Sequence, residues 1–180
     1  MQTVWPPLLR MLHWVLALGV IGAFATHEAS RAWRGLTVHE WLGYVALGAA
    51  ALRVLLGFTG RSPWPFKAFV RSVPVTVAYA RDVLAHREGR YLGHNPLGAW
   101  MVVALLANAL VCALSGWLYT TDRFWGVAWV GTLHDLTGHL LVPLLALHLA
   151  GVVFTSIRHR ENLVAAMLHG RKPILPPTVD

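Results

Sequence analysis

The sequence predicts an all-α integral membrane protein, a four-helix bundle with both termini in the cytoplasm. Hydrophobic residues make up 56% of the 180 residues and charged residues only 13%, about half the charged fraction of an average soluble domain. Four apolar stretches are long enough for a helix to cross a bilayer, which takes about 20 residues. Lys and Arg are concentrated in the connections of one predicted side.

The four predicted spans follow the apolar runs at about 8–26, 38–58, 97–119 and 134–156. Together they make residues 1–180 a single membrane domain. For residues 1–25 a cleaved signal peptide is an alternative, because a charged Arg10 precedes an apolar run that ends in Ala23-Phe24-Ala25. The charge pattern allows both interpretations, since removing the first span leaves the others oriented as before.

Between the second and third spans, an apolar segment with recurring Arg predicts one or two short helices at the cytoplasmic interface, at about 66–88, with Pro74 as an interruption. These helices either pack under the bundle or bind a partner. The tail, residues 172–180, is predicted to be irregular.

Orientation follows from the short connections, because positive residues accumulate on the cytoplasmic side. Arg10, the connection between residues 59 and 96, and the tail hold eleven Lys and Arg, whereas the other side holds only Arg31, Arg34 and Arg123. The net charge of +7 is therefore a topology signal rather than a nucleic-acid surface, with the lipid bilayer as the expected partner. The lone Cys112 excludes an internal disulfide, a four-Cys cluster and a covalently attached haem.

The histidines carry the candidate chemistry, because an imidazole within an apolar span needs a partner. His13 and His148 lie at the predicted inner depth, and His39 and His134 at the outer edge. At 100° per residue, His134 and His148 are within about 40° of one face of the fourth span and about 21 Å apart along it. Two such pairs are what two bis-histidine haems would require.

Other interpretations of these four histidines stay open at this point. Zinc fits less well, because neither pair has the further ligands that complete a tetrahedral site. Hydrogen-bonded core histidines or a proton relay are also compatible. Small residues in the spans allow either a flat macrocycle or close helix packing to approach. They are Gly19, Gly22, Gly43, Gly48 and Gly138.

The motif set resembles the bacterial cytochrome b561 family and the related b-type cytochrome subunits of nickel-iron hydrogenases. The resemblance covers roughly residues 5–160. The residues that carry it are Arg10-Met-Leu-His13-Trp14, His39-Glu-Trp-Leu-Gly43, Arg53, His134 and His148. It implies a multi-pass protein of the bacterial inner membrane with two haem b groups, held by His13 with His148 and by His39 with His134. Cleavage after residue 25 is then disfavoured, because it would remove a ligand.

The resemblance also extends to Gly93-His94-Asn95-Pro96-Leu97-Gly98, where His94 is a candidate for a quinone pocket and Asn95 with Pro96 for a helix cap. Arg10 and Arg53 are candidate haem propionate contacts, with lipid headgroup contact as the alternative. Arg31, Arg34 and Arg61 are further candidates of the same kind. Glu40 and Asp135, beside the outer histidines, could orient an imidazole or be simply exposed.

The expected function is electron transfer across the bilayer between the quinone pool and a periplasmic partner, such as a c-type cytochrome or a hydrogenase. A superoxide:quinone oxidoreductase, as in some family members, is the first alternative, although the outer arginines are offset by acidic residues. A bundle without haem that uses its histidines for protons is the second.

Overall fold

The computed structural model describes residues 1–32, 38–59 and 65–174, with side chains up to residue 27 in the first range. Nearly all of the regular structure is helical. The helices are α1 (Pro7–Ala32), α2 (Val38–Thr59), α3 (Phe66–Phe69), α4 (Val73–Leu84), α5 (Pro96–Tyr119), α6 (Ala128–Arg158) and α7 (Leu163–His169), and the strands are β1 (Gln2–Thr3) and β2 (Arg171–Lys172).

Four helices in the described part are long and apolar enough to cross a membrane. These candidate spans are Pro7–His27, Val38–Thr59, Pro96–Tyr119 and Ala128–Arg158. Most of their surface is not covered by other parts of the chain, as expected for helices whose apolar side chains face lipid. The all-α membrane architecture predicted from the apolar runs is confirmed at this level.

Helix α6 is longer than its apolar run indicates, since it begins at Ala128 rather than near residue 134. The turn before it contains Gly126 with a φ of +74°, a conformation that costs glycine little. From there the chain enters the helix without a breaking residue. His134 consequently lies about 9 Å along the axis from the helix start, and Pro143 lies within the same helix.

The predicted interface segment at 66–88 contains the short helix α3 and the longer α4. Pro74 lies in the first turn of α4, where its missing N–H is not needed. It therefore starts a helix instead of interrupting one. Helix α4 ends at Leu84, and His86 adopts a φ of +56°.

The chain divides into two compact units. The first comprises Met1–Arg10, Leu56–Ala104 and Ala146–Asp180, and the second comprises Met11–Leu55 and Leu105–Leu145.

Within the second unit, polar side chains tie helix pairs together. Asn108 of α5 is buried and donates to the carbonyl of Thr137 in α6 at 2.9 Å. Tyr44 of α2 and Thr120, which follows α5, share a hydrogen bond of 3.1 Å. Such bonds suit membrane helices, because apolar surface alone does not hold helices together in lipid.

Within the first unit, the tail is ordered against the amino terminus. Gln2 pairs with Lys172 in an antiparallel ladder. Lys172, which begins the tail predicted as irregular, therefore belongs to a strand. Residues 175–180 of that tail lie outside the described range. Trp5, Leu9 and Ala166 form a buried apolar cluster between the start of α1 and α7. Gly170 ends α7 with a φ of +81°, and an added Cβ there would meet the Trp5 carbonyl at 2.6 Å.

A buried ionic network, which no local sequence pattern indicates, also lies in the first unit. Glu161 forms ion pairs with Arg90 and, at 3.4 Å, with Lys172. All three side chains are less than a tenth exposed. Glu88, two residues before Arg90, pairs with Arg158 at 2.6 Å. Because each charge has an opposite partner, the cost of burying it is offset.

The surroundings of this network shift several ionisation equilibria. The hydrogen bond from Arg158 lowers the pKa of Glu88, so this carboxylate stays ionised. Burial lowers the pKa of Lys172, which the neighbouring Glu161 opposes, and burial also lowers the pKa of His159. Burial, aided by the negative Glu88, raises the pKa of Tyr79 to about 12. This tyrosine therefore remains neutral at physiological pH.

Candidate functional site

His39 and His134 lie beside each other in the second unit. Their ring centroids are 6.0 Å apart and the ring planes are nearly perpendicular, at 88°. His39 is in the first turn of α2 and His134 is on α6. The structure thus brings together the two histidines that were predicted as the outer pair.

Each of these histidines is oriented by a backbone carbonyl of a neighbouring helix. His39 Nδ1 is 2.7 Å from the carbonyl oxygen of Ala23 in α1, and His134 Nδ1 is 2.9 Å from that of Cys112 in α5. A carbonyl only accepts, so Nδ1 carries the proton in both rings. Nε2 is then the lone-pair nitrogen, which is the arrangement that metal-ligating histidines adopt.

A close approach of α5 makes room for the ring of His134. A Cβ added to Gly116 would lie 2.8 Å from Cε1 and 2.9 Å from Nδ1 of that ring. Real Cβ atoms essentially never show contacts this short. Gly116 therefore allows the imidazole to lie against the helix that supplies its acceptor.

We predict that Gly116→Ala displaces the His134 ring and lowers the haem content per chain, because overpacking of this kind costs about 1–3 kcal/mol. Absorbance of the b-type bands per chain measures the effect. Gly48→Ala is the matched control, since a Cβ there meets nothing within 4 Å and the position lies on the opposite face of α2 from His39. Equal haem content in the two variants would contradict the prediction.

The glycines singled out in the sequence separate into two groups. Gly19 and Gly22 of α1 pack against α2: an added Cβ would meet the Leu42 carbonyl at 3.2 Å and a Leu42 methyl at 2.8 Å, respectively. Helix packing thus accounts for these two. Gly43 has open space around it, on the same face of α2 as His39 and one turn further along. Gly138 only approaches Cys112, at 4.0 Å.

The predicted inner pair falls in two units of the chain. His13, in the second unit, packs edge-on against Trp14 with centroids 5.2 Å apart. His148, in the first unit, is part-buried on α6. Their pairing stays a prediction.

The candidate propionate residues lie in different surroundings. Arg53 is 7% exposed within α2. Arg10 donates through Nη1 to the Leu168 carbonyl at the end of α7, and its buried Nε has no hydrogen-bond partner among the described residues. The side chains of Arg31, Arg34 and Arg61 lie outside the described residues. Asp135 is exposed, and Glu40 is part-buried in the first turn of α2.

His94 lines a cavity of about 360 Å³ in the first unit. Its ring lies between those of Trp5 and Phe69, with centroids 4.8 and 4.7 Å away. The cap predicted for α5 is confirmed, since Asn95 accepts from the Gly98 N–H at 2.7 Å and Pro96 is the first helical residue. Capping and cavity lining therefore involve neighbouring residues of one segment.

Two imidazoles on opposite sides of one metal ion, each bonded at about 2 Å, place their ring centroids roughly 6 Å apart. The observed separation of His39 and His134 is 6.0 Å. With Nδ1 of each ring bound to a carbonyl, Nε2 would be the nitrogen available to a metal, so His39 and His134 are the residues that would hold a haem iron here. Among the described residues, no cluster of three or more His, Cys, Asp or Glu side chains is arranged to hold a metal ion.

Sequence reasoning missed the residues around the rings, namely the acceptor carbonyls of Ala23 and Cys112 and the space left by Gly116. A backbone acceptor has no residue-type signature, because every residue carries a carbonyl.

A family model described as prokaryotic cytochrome b561 matches residues 4–170. Searches of curated proteins and of solved structures gave no match.

Proposed function

Because the chain belongs to the prokaryotic cytochrome b561 family, we propose that it is a di-haem cytochrome that passes electrons between the quinone pool and a periplasmic redox partner. The family makes it a membrane-bound b-type cytochrome of electron transfer and implies that it binds haem b. The number of haems, the quinone and a partner such as a c-type cytochrome or a hydrogenase subunit belong to the proposal.

The observation that carries the proposal is the pair His39 and His134. Their ring centroids are 6.0 Å apart and each Nδ1 is bound to a carbonyl, which supports a site where both Nε2 atoms would bind one iron. A haem b with two histidine ligands supplies a one-electron carrier without an open coordination position.

The second haem is assigned to His13 and His148. At about 1.5 Å per residue, His148 lies about 21 Å from His134 along α6. Two haems at these depths would allow an electron to cross the apolar layer in two steps. The part-buried imidazoles of both residues suit ligand roles within a span.

Arg53 is proposed as a propionate contact. Arg53 is 7% exposed within a candidate span, and a carboxylate is the strongest acceptor for a guanidinium. Arg10 contributes its buried Nε in the same way, while its Nη1 holds the end of α7.

The cavity at His94 is proposed as the quinone site. Mostly aromatic and apolar walls with the imidazole of His94 among them suit a flat quinone head, which needs a hydrogen-bond partner at a carbonyl oxygen. On this basis the imidazole of His94 orients the quinone and can supply a proton to it.

We predict that His94→Ala lowers the rate of quinone-dependent haem oxidation at least several-fold and leaves the haem content unchanged. The physical reason is the loss of the imidazole from a cavity whose walls are mostly aromatic and apolar. Stopped-flow absorbance with a short-chain quinone measures the rate. Asn95→Asp keeps a capping side chain beside the cavity and is expected to retain the wild-type rate; a His94→Ala rate equal to that of Asn95→Asp would contradict the assignment.

The experiment that tests the function is a redox titration of the purified protein. We expect reduced-minus-oxidised bands of b type and two haems per chain. A colourless protein, or a single haem per chain, contradicts the di-haem proposal. The superoxide alternative predicts superoxide-dependent quinone reduction. Of the three outer arginines that it invokes, Arg31 and Arg34 have side chains outside the described residues, and Arg123 lies over the Phe124 ring at 5.6 Å.

A further inference from the structure

We infer that Thr26 and Ser115 are positioning residues that set the redox potential of the haem held by His39 and His134, by sharing the backbone carbonyls that orient these two rings. The inference rests on the proposed function, because it takes both histidines as haem ligands. It concerns two hydroxyl groups that touch neither iron nor substrate.

On α5, the backbone carbonyl of Cys112 accepts hydrogen bonds from two side chains. The Cys112 oxygen accepts from His134 Nδ1 at 2.9 Å and from Ser115 Oγ, also at 2.9 Å. The same hydroxyl is 2.8 Å from the Val111 oxygen, so its single proton is shared between two carbonyls. Ser115 is 2% exposed, and water therefore does not replace this bond.

The same pattern recurs on α1, with another histidine. The Ala23 oxygen accepts from His39 Nδ1 at 2.7 Å, and Thr26 Oγ1 is 3.3 Å from it. Thr26 Oγ1 also lies 2.7 Å from the Gly22 oxygen. In both helices the hydroxyl comes three residues after the carbonyl that its histidine uses.

Hydrogen bonds from Ser and Thr hydroxyls to preceding carbonyls are common in helices, so a single instance would be weak evidence for a role at the haem. Here the pattern occurs at both histidines of one pair, on two different helices. Thr137 shows the ordinary form, because its hydroxyl bonds the carbonyls of Leu133 and His134 at 2.7 and 3.1 Å. Neither of these is a carbonyl that orients a ring of the pair.

The effect on the ligand follows from the limited capacity of a carbonyl oxygen. It has two lone pairs, and within a helix one already serves the N–H four residues on. The hydroxyl and the imidazole N–H then compete for the remaining lone pair. A weaker bond at Nδ1 makes Nε2 a poorer electron donor, which favours the reduced iron. Both hydroxyls therefore raise the potential.

The test is a spectroscopic redox titration of the haem-loaded protein. Thr26→Val removes the hydroxyl and keeps the side-chain shape, and Ser115→Ala removes the other one. We expect each to lower the midpoint potential of one haem, leave the second haem unchanged, and keep two haems per chain. The double variant should shift by about the sum, and Thr26→Ser should restore the wild-type value.

Thr137→Val is the matched control, with the same loss of a helical hydroxyl and no expected shift. Unchanged or raised potentials in both Thr26→Val and Ser115→Ala, or an equal shift in Thr137→Val, would overturn the inference and leave the proposed function intact. If Ser115→Ala loses haem, the midpoint potential of Thr26→Val alone decides whether the inference holds. A different result would contradict the proposed function itself: a His134→Ala variant that retains both haems.

Discussion

Replacing His39 or His134 by Ala is expected to remove one of two haems, halving the b-type absorbance per chain. Each substitution leaves one imidazole of a pair whose ring centroids are 6.0 Å apart, and one axial bond is then missing. The double variant should lose no more than either single one, because the proposed assignment gives both residues to the same haem. Absorbance of the purified protein, normalised to protein concentration, measures the loss.

His139→Ala is the control for this experiment, since it lies on the same helix. Its ring is exposed, and Nδ1 is 2.7 Å from the carbonyl of Asp135 one turn earlier. The variant should retain both haems. An additive loss in the double His39 and His134 variant would indicate that the two residues hold different groups and would contradict the pairing.

Glu161→Ala is expected to destabilise the protein by about 3–5 kcal/mol, the usual effect of removing one partner from a buried ion pair. The substitution leaves Arg90 and Lys172 without the carboxylate between them, with 9% and 4% of their side chains exposed. Glu161→Gln keeps the volume and should show most of the loss. Unfolding in a denaturing detergent, followed by far-ultraviolet circular dichroism, gives the difference.

Asp82→Ala provides the comparison at an exposed ion pair. Asp82 is 3.9 Å from Arg87, and their side chains are 49% and 75% exposed. Pairs of this kind contribute about 0–1 kcal/mol. A Glu161→Ala effect as small as that of Asp82→Ala would show that the network does not stabilise the first unit.

Much of the fold could be predicted because it depends on local chemistry. The apolar runs indicated four long helices, and each run lies within one of them. Asn95 and Pro96 predicted the start of α5, since capping involves only neighbouring residues. Pro74 was harder to interpret, because proline is compatible with both a helix start and an interruption, and the choice depends on where the helix begins.

The candidate site was predictable only in part. Depth and helical phase identified His39 and His134 as a pair, since both quantities follow from position along a regular helix. They could not identify the Cys112 carbonyl, the space at Gly116 or the hydroxyl of Ser115. Those depend on how far α5 is rotated and offset against α6, which is a property of helix packing.

The amino-acid sequence by itself thus determined a membrane protein with four apolar helices and histidines suited to haem. The reason is that apolarity and helical phase follow directly from the type and position of each residue along the chain. Tertiary structure alone decided which carbonyl orients each ring. It also decided that Glu161 joins Arg90 and Lys172 across the chain, and that Gln2 pairs with Lys172. Contacts between distant segments depend on their mutual position in space, which no local pattern of residues specifies.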